Sequence, residues 1–404
     1  MRIVVVGGGH AGVEVCAALR RRGFAGDIDL VEEQHSHPYQ RPPLSKDSMA
    51  GSAVEVLPLQ PPSFFETQSV HFHPGVSVTR INRAYRTVEL SDLSSISYDH
   101  LVLATGAQSA PVNFVEPGAT VHTLRTDADA VAVSRAVREA SRVIVIGGGF
   151  IGLEVAAGAR NRGVDVLLVT PADRVLGRSV SEPMSAALLD RLTASGVSVR
   201  LRTRVARVFQ QANGPAVALS DGSVLTADVV VVGIGVRART RLAQDAGLDV
   251  DDGVIVDEQL TSSDPAISAI GDCARFPSAH SGFAERLESV QNATDQARHL
   301  AATLMGGDAP YSDIPWFWSV QGTARLQIAG LGRPDDEVVV PPGREEADRL
   351  SIFRFQGGEL RCVESLDDAP THMAARRALA QPQPITMEHL VSADFALRSL
   401  VAPA

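Results

Sequence analysis

Six glycines in two sets carry the chemistry most plainly written in this chain. Gly7, Gly9 and Gly12 follow the apolar run Ile3-Val-Val-Val6, and Gly147, Gly149 and Gly152 follow Val143-Ile-Val-Ile146. In both copies the apolar run reads as a buried strand, and a helical pattern rich in alanine starts at the glycines. Glycines at this spacing make a tight turn, let backbone approach a pyrophosphate and let helix pack closely on strand, with the phosphates at the positive helix N-terminus. The copies align residue for residue, Glu14 with Glu154, Arg20 with Arg160 and Gly23 with Gly163. The chain is therefore expected to hold two dinucleotides. Two on one chain imply electron traffic between them, as between a flavin and a nicotinamide.

The elements around the glycines must supply the remaining contacts. A carboxylate about twenty residues past the last glycine accepts hydrogen bonds from a ribose. Glu32 stands 20 residues after Gly12, at the end of the strand-like Asp27-Ile-Asp-Leu-Val-Glu-Glu33, and Glu33 could serve instead. Pro38-Tyr-Gln-Arg-Pro-Pro-Leu-Ser-Lys46 reads as a rigid loop released into a short helix, placing Arg41, Pro43 and Lys46, the only lysine of the chain. Leu101-Val-Leu-Ala-Thr-Gly106 reads as a buried strand whose small-residue turn, Ala104, Thr105 and Gly106, lets backbone approach a cofactor. Ala266-Ile-Ser-Ala-Ile-Gly-Asp272 is another such strand, placing Asp272 to accept from a sugar hydroxyl, and Asp228 to Gly235 closes the second glycine unit. His71 and His73 alternate on a probable strand and are read as surface residues; no metal site is expected.

Composition narrows the class. A chain of 404 residues should form two or three domains around a large core. A net charge of −10 without a basic tail argues against a nucleic-acid partner. No apolar run approaches the roughly eighteen residues of a membrane span, and the chain opens directly on a strand with no room for a signal peptide. The expectation is a soluble, cytoplasmic protein. Cys16, Cys273 and Cys362 lie far apart in no C-x-x-C pattern, which excludes electron relay through a redox-active disulfide. Residues 314–404 change character: Pro315-Trp-Phe-Trp-Ser319 holds both tryptophans, hairpin-like strands follow, and helical patterns at Met373–Ala380 and Met387–Leu400 close a small α+β domain.

The ordered set of Gly7, Arg41-Pro-Pro-Leu-Ser-Lys46, Ala-Thr-Gly106, Leu-Arg125-Thr, Gly147 to Glu154, Gly-Asp272, Arg286-Leu-Glu-Ser-Val290 and Trp-Phe-Trp318-Ser resembles the FAD-dependent NAD(P)H:ferredoxin reductases of bacterial oxygenase systems. The likeness covers essentially the whole chain. It implies an α/β fold of two Rossmann-like dinucleotide-binding domains, glutathione-reductase-like, plus the C-terminal α+β domain. The expected division is 1–111 with 239–313 for FAD, 112–238 for NAD(P)H and 314–404 for the last domain. It implies FAD on Gly7, Gly9, Gly12, Glu33 ahead of Glu32, Arg41, Pro43, Lys46, Ala104, Thr105, Gly106, Arg125, Asp272 and Val290. It implies NADH, with NADPH possible, over Gly147, Gly149, Gly152, Glu154, Thr170 and Gly235. Lys46 and Glu154 resemble the ion pair beside the flavin and Trp318 would flank its ring, so these three are the catalytic candidates.

The implied reaction is hydride transfer from NAD(P)H to FAD, then single-electron transfers to an iron–sulfur ferredoxin that serves an oxygenase. The alternatives are an NADH oxidase-like or a nucleotide-sensing flavoprotein without a ferredoxin partner. An acidic ferredoxin would need a local basic patch, for which Arg239, Arg241 and Arg325 are candidates. Three positions depart from the family pattern. Thr170, 18 residues beyond Gly152, stands where the NADH-selecting acid is usual; Asp173 could partly replace that acid, and Arg174 or Arg178 could instead meet a 2′-phosphate. Val320-Gln-Gly322 replaces Asp-Gln-Tyr, and Gln291 stands where histidine is usual.

Overall fold

Strands that are apolar on both faces must be covered on both, which suits parallel strands with helices above and below. The computed structural model, which describes residues 1–46, 54, 56–342 and 349–401, shows two parallel sheets, each with a helix packed on it and a three-stranded antiparallel sheet sharing its core. One unit comprises Met1–Gln40, Leu57–Gln108 and Arg237–Pro315. Its sheet runs Ile267–Ala269, His100–Leu103, Arg2–Val6, Asp27–Glu32, Val70–Pro74, every pair parallel. Ile3, Leu30, Leu101 and Ile267 are fully buried in it. Helices His10–Arg21 and Val290–Leu304 pack against each other, the second capped by the Ser289 hydroxyl, which accepts from the Asn292 N–H at 3.0 Å.

The other unit comprises the segment that begins at Arg41, residues Ser109–Val236 and the segment that begins at Trp316. Its parallel sheet runs Ser198–Arg200, Asp165–Val169, Arg142–Ile146, Val229–Val232, with helix Phe150–Asn161 following the glycines. A five-stranded antiparallel sheet, Trp316–Gln321, Ala324–Gly330, Glu359–Leu366, Leu350–Gln356, Glu337–Val339, carries helix Ala369–Leu379. The parallel sheet and the five-stranded sheet of this unit have separate cores. Ile144, Val169 and Val230 belong to one, and Phe353, Phe355, Val363 and Ala375 to the other. The fold class is α/β, two Rossmann-like domains with a small α+β domain.

Three local expectations are revised. Pro315-Trp-Phe-Trp-Ser319 contributes an edge strand, Trp316–Gln321, in which the two tryptophans alternate with the inward-facing Phe317 and Ser319. Helix Met373–Ala380 begins earlier, at Ala369, where Asp368 accepts from the Thr371 N–H and Pro370 suits the first turn. The helix expected over Met387–Leu400 is broken into Met387–Ser392 and a 3₁₀ turn at Leu397–Leu400, since Asp394 and Phe395 adopt φ of 48° and 57°, incompatible with a right-handed helix. On strand Val70–Pro74, His71 is exposed, but His73 is partly buried with its Nε2 2.9 Å from Asp29 Oδ1. Among the described residues no helix is long and apolar enough to cross a membrane.

Two histidines, His100 and His372, are buried in a way that disfavours their charged form. Burial, reinforced by Arg376 and Arg325, lowers the pKa of His372 to about 4. Burial likewise lowers His100, which sits 2.9 Å from the Ser268 hydroxyl, to about 4. Between about pH 6.5 and 4 the unfolded chain protonates these imidazoles and the folded chain does not, so stability falls with pH across that window, by ~1–3 kcal/mol per histidine. Urea unfolding at a series of pH values is expected to show this fall, and His372→Leu to flatten part of it. An unchanged slope in that variant would contradict the assignment.

Candidate dinucleotide sites

The two glycine turns are built alike. Gly7 and Gly147 adopt φ of 107° and 124°, and a Cβ on either would overlap a carbonyl of the neighbouring strand end, Ala104 O or Gly233 O. On Gly12 or Gly152 a Cβ would overlap the carbonyl of Gly7 or Gly147, so these positions set how closely helix approaches strand. Gly9 and Gly149 are different: nothing lies within 4 Å of a Cβ built there. Each is the N-cap of its helix and neither provides a side-chain acceptor, whereas helix Asp127–Glu139 is closed by a capping box of Thr126 and Asp129. Open space in front of uncapped N–H groups at the positive end of a helix fits a pyrophosphate, and both turns offer it.

The acids at the first turn divide their tasks. Glu32 is buried and accepts from the Gly8 N–H and, at 2.9 Å, from the Gln34 N–H. Glu33 is exposed and ion-paired with Arg239. Geometry thus ties Glu32 rather than Glu33 to the glycines. The small-residue turn is also held by Arg239, whose backbone carbonyl accepts from Thr105 Oγ1 at 2.7 Å and whose N–H donates to Gly106 O at 2.9 Å. Asp272 lies half-buried in the turn Gly271–Cys273, where the Gly271 N–H donates to Gln296 Oε1 at 2.7 Å. Val290 opens helix Val290–Leu304, and the Gln291 amide donates to Asp295 at 2.6 Å. At the second turn, Thr170 takes the place that Glu32 has at the first, and Gly235 adopts φ of 105° after strand Val229–Val232.

The proline loop delivers the lysine. Pro42–Ser45 forms a single 3₁₀ turn that buries Leu44 and Ser45 and leaves Pro43 half-buried, and Arg41 Nη1 donates to Arg125 O at 2.9 Å. Lys46 Nζ then lies 2.9 Å from Oε1 of Glu154, a buried carboxylate on helix Phe150–Asn161. Glu154 also accepts from the Ser45 hydroxyl and, at 2.6 Å, from Ser319 Oγ. Ser319 points inward from strand Trp316–Gln321, while Trp316 and Trp318 share the other face with ring centroids 5.5 Å apart. Arg376 stacks over Trp316 at 4.3 Å. Sequence reasoning passed over Ser45 and Ser319. Both lie inside segments it singled out, but a serine has no evident task until its acceptor is known.

Three cysteines and three arginines bear on electron routing and docking. The cysteines are all free and buried, and burial raises the Cys16 thiol to about 12 and raises those of Cys273 and Cys362 as well. None is poised for thiol chemistry. Of the arginines considered for a docking patch, Arg239 is committed to Glu33 and Arg241 to Asp245, while Arg325 is exposed.

Comparison with known proteins bears on the same residues. The family model described as pyridine nucleotide-disulphide oxidoreductase matches residues 1–297, and that described as reductase C-terminal matches 316–401. The chain is 45% identical to rhodocoxin reductase of Rhodococcus erythropolis, covering 100% of this chain and 95% of the relative. It is 38% identical to putidaredoxin reductase of Pseudomonas putida, covering 100% and 97%. Among solved structures, the ferredoxin reductase for the CYP199A2 system from Rhodopseudomonas palustris superposes with a TM-score of 0.95 at 38% identity, covering 99% and 100%. Putidaredoxin reductase in its covalent complex with putidaredoxin gives 0.94 at 37% identity, covering 99% and 97%.

Removing the ammonium from Glu154 leaves a buried carboxylate with two hydroxyl partners. Lys46→Met is therefore expected to cost about 3–5 kcal/mol in unfolding free energy, read from urea denaturation. A loss below about 1 kcal/mol would mean that solvent already screens the pair.

Proposed function

The chain belongs to the pyridine nucleotide-disulphide oxidoreductase family, within its ferredoxin reductases, and on that membership we propose that it passes electrons from NAD(P)H through FAD to an iron–sulfur ferredoxin that serves an oxygenase. The observation that carries this reading is the pair of uncapped glycine-turn helices in a chain whose thiols are all buried and unpaired. Bound FAD supplies the needed conversion, accepting two electrons together and releasing them singly.

The first turn, with Glu32 ahead of Glu33, and the turns at Ala104–Gly106 and Asp272 hold FAD by backbone and carboxylate contacts. The second turn, from Gly147 to Gly152, holds the pyridine nucleotide. Lys46 brings a positive charge to the reacting end, and Glu154 fixes where that charge sits because Ser45 and Ser319 fix Glu154. Trp318 offers an aromatic face, and Arg41 and Arg125 brace the loop that carries Lys46. Residues 112–238 and 314–404 act as separate nicotinamide-binding and C-terminal domains, a division supported by their separate cores. A cytoplasmic location accords with a reducing environment for three free thiols.

Anaerobic mixing of the yellow protein with NADH or NADPH should bleach the flavin absorbance, and added ferredoxin should carry electrons on to cytochrome c. Failure of both nucleotides to bleach it would sink the reductase reading. Bleaching without transfer to any cognate ferredoxin would favour the oxidase or sensor. If Arg325 faces the acidic partner, Arg325→Glu should slow ferredoxin-dependent cytochrome c reduction about five-fold or more at low salt, less at high salt, with bleaching unchanged.

A further inference from the structure

The second glycine turn contains a chemical difference for which the first turn is an internal control. Strands Asp27–Glu32 and Asp165–Val169 pair with their fingerprint strands in the same register, Asp27 opposite Arg2 and Asp165 opposite Arg142. The residue that reaches the glycines is therefore Glu32 in one copy and Thr170 in the other. A Cβ on Gly8 would lie 2.8 Å from Glu32 Oε2, and a Cβ on Gly148 would lie 3.2 Å from Thr170 Oγ1. One turn presents a carboxylate and the other a hydroxyl.

The backbone of Thr170 is tied to the segments around it. Thr170 is buried, its N–H donates to Arg200 O at 3.0 Å, and its carbonyl accepts from the Thr203 N–H at 3.0 Å. The Arg202 N–H donates to Ala172 O at 2.8 Å, and the Leu176 N–H to Gly148 O at 2.9 Å, which folds the following loop back on the glycines. That loop carries Arg174, and Arg202 stands exposed beside it with φ of 50°. Asp173, also exposed, is the one carboxylate between Thr170 and Ser181. A carboxylate at the end of this strand receives a ribose diol and repels a phosphate, whereas the uncharged Thr170 hydroxyl does not repel it.

Resting on the proposed pyridine-nucleotide site, we propose that Thr170 makes the adenosine-ribose subsite accept a 2′-phosphate, so that NADPH binds at least as tightly as NADH. The test needs no turnover. The FAD-loaded protein is titrated by calorimetry with ADP-ribose and with 2′-phospho-ADP-ribose. The phosphorylated compound is expected to bind as tightly or tighter. Thr170→Glu should weaken it by about ten-fold or more relative to ADP-ribose, and Arg202→Ala, on the surface, should weaken it by about three-fold with ADP-ribose unchanged. Binding of ADP-ribose about ten-fold tighter in the natural chain, or a preference that neither variant moves, overturns the proposal. If neither compound binds while FAD is retained, the pyridine-nucleotide reading itself fails, an outcome distinct from a preference for ADP-ribose.

Discussion

A carboxylate taken out of water costs several kcal/mol unless donors surround it, and Glu154 is such a carboxylate. Its donors come from positions far apart in the chain: Ser45 and Lys46 from the proline turn, and Ser319 from the edge strand. None of these segments has a reason to adopt its position alone. Helix Phe150–Asn161, the 3₁₀ turn and strand Trp316–Gln321 must assemble together or leave the charge unpaired. The ring contact of Phe150 with Phe317, at 4.5 Å, adds apolar packing to the same junction. Because neighbouring residues of a strand face opposite ways, fixing Ser319 inward also fixes Trp318 outward.

A second buried polar cluster performs the same service further along the unit. Arg354 lies 2.9 Å from Glu364 and 3.2 Å from Asp336, all three buried. Glu364 also accepts from the Ser181 N–H at 2.8 Å, at the start of helix Glu182–Ala194, where a negative charge complements the helix dipole. Burial raises the Glu364 carboxyl, and its bonds to Ser181 and Arg354 oppose that rise. Arg191 meets Asp367 beside this contact. Together they explain why two domains with separate cores cluster as one unit: the loop from Thr170 to Ser181, which borders the second glycine turn, is anchored to the C-terminal sheet at its far end.

The duplication at the heart of the chain separates what must stay constant from what is free to change. Gly12 and Gly152 cannot vary, because any Cβ there would enter a carbonyl of its own turn. The residue at the end of the second strand can vary, since it only touches the turn from one side. Its change from Glu32 to Thr170 alters charge without altering the fold.

The elements and the existence of two phosphate-binding turns were legible in the sequence, since strand, glycine spacing and helix are consecutive there and depend on local chemistry. So were the missing thiol pair and the departure at Thr170. What depended on distant segments was not legible from the residues themselves: the contact of Lys46 with Glu154 was suggested only by family resemblance, and Ser45 and Ser319 went unnoticed because a serine's hydrogen bond depends on an acceptor over a hundred positions away in sequence. The same holds for Glu32 and Glu33, adjacent carboxylates of one type that only the tertiary structure distinguishes, by burying one against Gly8 and leaving the other to Arg239. Local periodicity determines which segments become strands and helices. Desolvation of a few charged side chains, which no local pattern records, decides which segments meet.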